Sequence, residues 1–102
     1  MPKISLTVAH KLGVEEARRR IGHLVAETRE EFGDKITDLQ ESWNGNVDTY
    51  QFRAMGFNID GTIEARADAV SIEVHFPWAA LPFKGRVESE LLKHATALLQ
   101  RD

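Results

Sequence analysis

The sequence predicts a two-layer α+β domain: a strand, a helix, a four-stranded antiparallel meander and a second helix, with both helices on one face of the sheet. Two stretches carry apolar residues at helical spacing, and the segments between them alternate with the period of strands. Three separate turn signals in the middle of the chain also agree on which sheet face is apolar. At 102 residues, with 42% hydrophobic and 28% charged side chains, the chain suits one domain with one core, spanning 1–102.

The first strand is KISLTVA, where Ile4, Leu6 and Val8 alternate with polar or small neighbours. Its place, beside the second or the fifth strand, is open. A long amphipathic helix is expected from Val14 to Phe32, because Ala17, Ile21, Leu24, Val25, Thr28 and Phe32 share one stripe. Glu15 and Arg19, and Glu16 and Arg20, are spaced for ion pairs, and Gly33 is placed to end the helix. The run Arg18 to Arg20 is flanked by acids and reads as a solvated, ion-paired face.

Taking Asn44-Gly45, Met55-Gly56 and Asp68-Ala69 as hairpin loops sets the meander's register. One row then reads Leu39, Tyr50, Gly61 and Phe76, and its neighbour reads Thr37, Phe52 and Ile59. Further rows read Glu41, Asp48, Ile63 and Val74, then Trp43, Asn46, Ala65 and Ile72. The other face carries Gln40, Thr49, Thr62, His75, Ser42, Glu64 and Glu73, as expected of a sheet with helices on one side and water on the other. The last helix starts near Arg86, with Val87, Leu91, Ala95 and Leu98 on one side and Leu92 and Leu99 flanking them. That stripe is broad enough to cover the sheet and also meet a second copy, so a homodimer through this helix is expected.

A net charge of −3 with intermixed signs gives no basic field for nucleic acid. There is no cysteine, which excludes disulfides and thiolate metal sites and is compatible with a reducing compartment, so the expected place is the cytoplasm. The amino terminus lacks the pattern of a signal peptide, and no apolar run is long enough to span a membrane. The four histidines, His10, His23, His75 and His94, show no metal-ligand spacing, so no metal is expected. Ser71, Glu73 and His75 lack a nucleophile elbow, no glycine loop cradles phosphate, and neither a cofactor nor a catalytic activity is expected.

Two groups of residues invite a functional reading. Glu41 and Asp48, placed opposite each other on the apolar face, would raise at least one carboxyl pKa and could do acid–base work if dry, but their position near the hairpin end points to screening by water. With Tyr50 and Phe52 beside Gly61 they form the candidate wall of a cavity for a small apolar or acyl ligand between helix and sheet. The second group is the connector from Pro77 to Phe83, which holds two prolines and no charge. Trp78, Leu81 and Phe83 are expected mainly to seal the core. Left exposed, they would instead dock on an apolar partner, with Lys84 and Arg86 beside them.

HKLGVEEARRRI, SWNGN, GFNIDGTIEA and VSIEVHFPWAALPFKGRVESELL, in that order, resemble the polyhydroxyalkanoic acid system (granule-regulation) protein family over nearly the whole chain. The most specific parts are FKGRVE at Phe83 to Glu88 and the early His10, Leu12 and Glu16-Ala17-Arg18 group. The resemblance implies a bacterial accessory of polyester storage whose partner is a granule-coat protein or the polyester granule surface. It implies no catalytic residues and no defined ligand set.

Overall fold

In the computed structural model, which describes residues 2–100, strand β1 (Lys3–Ala9) leads into helices α1 (Val14–Ile21) and α2 (Leu24–Phe32). A short 3-10 helix (Gly33–Lys35) precedes the meander β2 (Ile36–Asn44), β3 (Val47–Ala54), β4 (Phe57–Ala65) and β5 (Ala69–His75). A second 3-10 helix (Trp78–Phe83) runs into helix α3 (Lys84–Gln100). The strands form one antiparallel sheet in the order β1-β5-β4-β3-β2. The architecture is therefore the α+β arrangement expected from periodicity, with all three helices over one face.

Position and breaks are where the structure adds information. β1 lies beside β5, pairing Ile4 with Val74, Leu6 with Ile72 and Val8 with Val70, so branched side chains meet branched side chains on the core face. The expected long helix is two helices, divided at Gly22 and His23. The His23 N–H bonds back to the Arg20 carbonyl, a tightened closing turn, and Gly22 is the weakest helix former in the stretch.

The β3–β4 register is as expected, with Tyr50 opposite Gly61 and Phe52 opposite Ile59. The other two hairpins turn one residue away from the expected loops. The first loop is Gly45-Asn46, so Glu41 pairs with Tyr50 and Asp48 with Trp43, leaving the two acids diagonal, not opposite. The third is Ala67-Asp68, which puts Val74 opposite Gly61 and Ile72 opposite Ile63. Each loop shift moves the pairing by an even number of residues, so every side chain keeps its face. Between Thr37 and Gln40 a bulge centred on Asp38 (φ 55°) does reverse the face. Ile36 turns into the core opposite Ala54, and Thr37, expected on the apolar row, is exposed opposite Arg53.

The core joins Ala17, Ile21 and Leu24 from the first two helices to Ile63, Val70 and Ile72 of the sheet and to Ala95, Leu98 and Leu99 of α3. His10 is a buried polar member with both nitrogens satisfied. Its Nδ1 accepts from the Leu12 N–H (3.1 Å) and its Nε2 lies 3.0 Å from the Arg66 carbonyl, which assigns the neutral Nε2–H tautomer and ties the end of β1 to the β4–β5 turn.

The β3–β4 turn holds Met55 at φ 53° and Gly56 at φ 84°, both left-handed, as a type I′ turn requires. Methionine is strained there, whereas asparagine tolerates that region. Met55→Asn is expected to stabilise the domain by about 0.5 kcal/mol, raising the thermal midpoint by roughly 2–4 °C in a calorimetric scan. A lowered midpoint would show that the contacts of the Met55 side chain outweigh its backbone strain.

Candidate functional site

Two-layer packing leaves a space between the sheet and the helices. Val25, Thr28 and Phe32 of α2 form one wall, Val87 and Leu91 of α3 another, and Tyr50, Phe52 and Ile59 the floor. The chamber is about 210 Å³ and its wall is overwhelmingly carbon. An apolar cavity of about 150 Å³ already stays dry and admits a benzene-sized guest, so this one has room for a small apolar molecule.

The floor is shaped by a large ring crossing a residue without a side chain. Tyr50 reaches over Gly61 and its hydroxyl donates to the Glu73 carbonyl (2.8 Å), while its ring stacks on Phe52 at 6.2 Å. Burial pushes the Tyr50 phenol well above its usual range, with nearby Asp48, Asp60 and Glu73 adding to the effect, so it stays protonated.

Of the four residues expected around a cavity, Tyr50 and Phe52 line it, and Glu41 and Asp48 do not. Glu41 is exposed beside a shallow groove between α2 and β2. Asp48 is fully buried, and neither carboxylate oxygen has a hydrogen-bond partner among the described residues. Water was expected to screen this end of the hairpin, but α1 reaches it. The Arg18 guanidinium lies 4.3 Å over the ring of Trp43, the residue paired with Asp48, and its Nε donates to the Gly45 carbonyl (3.2 Å). Burial, then the neighbouring Glu41 carboxylate, pushes the Asp48 carboxyl up to about 8, against a smaller opposing pull from Arg18. Asp48 is thus a protonated acid in a closed space, held apart from the chamber.

The other two arginines of the run share one acid, with Arg19 exposed and Arg20 largely covered. Arg19 and Arg20 both donate to Glu16 (2.6 and 2.8 Å), which lowers the Glu16 carboxyl to about 2, chiefly through the bond from Arg19. Spacing alone pairs Glu15 with Arg19; in the structure Glu16 takes both arginines.

A further cluster joins distant segments and was invisible in the sequence. Glu31 of α2 and Glu90 and His94 of α3 bring their donor atoms within 4.8 Å of one another, and they are the described residues best placed to hold a metal ion. The His94 Nε2 contacts Glu31 directly and lies 3.8 Å from Glu90, and its hydrogen bond lowers the Glu31 carboxyl. Glu90 and His94 are one helical turn apart, a spacing legible in hindsight, but Glu31 is reached only through the packing of α2 on α3.

The connector departs most from expectation. Ala80 is its buried member, with buried Phe76 just before it, whereas Trp78 is 69% exposed and Leu81 and Phe83 are each 42% exposed. Pro82 lies inside the 3-10 turn, and Phe83 leans on Phe57 with ring centroids 6.4 Å apart, at the edge of the chamber. Two small or well-placed residues close the core, so the larger rings are left outside. Lys84 and Arg86 are exposed beside them.

An antiparallel sheet covered on one face by helices, with an apolar chamber between the layers, defines a small α+β chamber domain. The profile of the family described as "Putative polyhydroxyalkanoic acid system protein" matches residues 4–99, and the chain belongs to that family. Solved structures to which the chain is similar include that of TTHA0849 from Thermus thermophilus, at 14% identity and TM-score 0.46 over 96% of this chain and 97% of that one. Another is that of Ara h 8.0201, at 12% identity and TM-score 0.42 over 98% and 99%. A comparison with curated proteins returns no match. No helix among the described residues is long and apolar enough to cross a membrane.

Proposed function

We propose that the protein is a non-catalytic accessory of the polyhydroxyalkanoate system that works in the cytoplasm by contact with a granule-coat protein or the polyester surface. The observation that supports this reading is the exposed connector: Trp78, Leu81 and Phe83 stand out from one 3-10 turn, with Lys84 and Arg86 exposed beside them. An apolar patch with a polar rim favours docking, because burying it against a partner releases water from surface that folding has left uncovered. Co-sedimentation with polyester granules, bare and protein-coated, tests the reading. Wild type is expected to pellet with one of them, and Trp78→Ser combined with Leu81→Ser to reduce the bound fraction at least tenfold while leaving the melting curve nearly unchanged. Absence of wild-type binding at every salt concentration would overturn it.

A second reading, binding of a small apolar or acyl ligand, is favoured by the chamber. Native mass spectrometry of freshly purified protein is the direct measurement, with a co-purifying lipid as the expected result. Self-association through α3 belongs to the same proposal. Leu92 is 44% exposed on that helix, and ultracentrifugation of wild type against Leu92→Glu is expected to show a dimer lost in the variant. Two monomeric samples would remove the dimer.

A further inference from the structure

We infer that the chamber takes an aliphatic acid, with its chain inside and its carboxylate at a basic mouth. This rests on the ligand-binding reading above and adds the chemical class of the ligand.

The interior sets the first condition. The two hydroxyls on the chamber wall are already committed: Tyr50 donates to the Glu73 carbonyl and Thr28 to the Leu24 carbonyl, each at 2.8 Å. A carboxylate carried deep into this space would give up water and meet no free hydroxyl donor. The occupant is therefore apolar along its buried length and keeps its polar end at the opening.

The mouth sets the second condition. Arg29 of α2, Lys35 of the first 3-10 helix, and Lys84 and Arg86 at the start of α3 all border the chamber. All four are exposed, and none has a hydrogen-bond or ion-pair partner among the described residues. Three separate elements thus bring uncompensated cations to one opening. One acid, Glu90, stands among the four cations on the same lining, with its Oε2 buried and without a hydrogen-bond partner among the described residues. A carboxylate at this mouth meets several donors at once, a neutral alcohol gains much less, and a cationic amphiphile is repelled. The volume of about 210 Å³ restricts the chain to a short one.

Calorimetric titration of the intact protein with octanoate, octanol and octyltrimethylammonium tests this at neutral pH. Octanoate is expected to bind, octanol at least tenfold more weakly, and the cation not at all, with octanoate affinity falling as salt rises. The double variants Lys84→Gln/Arg86→Gln and Arg29→Gln/Lys35→Gln, each checked by its melting curve, are expected to weaken octanoate at least fivefold and leave octanol unchanged. Because the pairs lie on different elements, poor folding of one leaves the other as the test. Equal binding of octanoate and octanol, unmoved by either double variant, would overturn the carboxylate assignment while leaving the chamber a binding site. Failure of all three probes to bind folded wild type would overturn the inference and the ligand-binding reading together.

Discussion

Gly61→Ala is expected to cost about 3–5 kcal/mol, a large share of the roughly 5–15 kcal/mol by which a domain is ordinarily stable. A methyl group at this position would overlap the Glu73 backbone oxygen on the neighbouring strand and approach the Tyr50 ring carbon Cζ to 2.8 Å. The Glu73 carbonyl cannot retreat without disturbing the strand that pairs Val74 with Gly61. Displacing Tyr50 would break its bond to the same carbonyl and its stack on Phe52. Urea denaturation measures the effect. A companion, Tyr50→Phe, removes the hydroxyl and keeps the ring, so its expected loss is only about 1–2 kcal/mol. A Gly61→Ala loss below about 1 kcal/mol would mean the strands adjust freely, contrary to the packing of Tyr50 across Gly61.

The second large effect is a pH dependence carried by Asp48. Its folded pKa is about 8, above the ordinary carboxylate range near 4, so between those values the folded chain binds a proton that the unfolded chain has released. Its contribution is therefore most favourable at low pH and is lost as pH rises through the window from about 4 to about 8, by up to about 1.4 kcal/mol per unit. Asp48→Asn supplies a neutral side chain of the same shape at every pH. Relative to wild type, the variant is expected to be of similar stability near pH 4 and several kcal/mol more stable above pH 8, read from urea midpoints at four pH values. Parallel profiles for the two proteins would show that the carboxyl ionises normally. Glu41→Gln removes a secondary cause and leaves burial in place, so it is expected to move the window down only in part.

Several of these features were legible before any coordinates. The β3–β4 turn, with Tyr50 over Gly61, followed from the Met55-Gly56 signal, and the α2 residues facing the chamber were already on one stripe. The two shifted hairpins show why faces survive an error in register: the shift was even, and parity is all that alternation encodes. The bulge at Asp38 was not legible, because an aspartate at positive φ leaves no mark on the apolar pattern. At the candidate site, Tyr50 and Phe52 lie on the chamber floor, whereas Glu41 and Asp48 lie off the chamber, near enough for Glu41 to raise the Asp48 carboxyl although Asp48 is buried and Glu41 exposed.

The same distinction runs through the whole molecule. Local periodicity determined which side of each element is apolar, how the elements follow one another, and hence the two-layer α+β class. Only the tertiary structure decided which apolar sides meet: β1 against β5, Arg18 over Trp43, and Ala80 in the core while Trp78 stays in water. Periodicity depends on bonds between near neighbours along the chain. A chamber, a buried acid or an exposed ring depends on distances between segments far apart in sequence, set by the volumes of the side chains that fill the gap between layers.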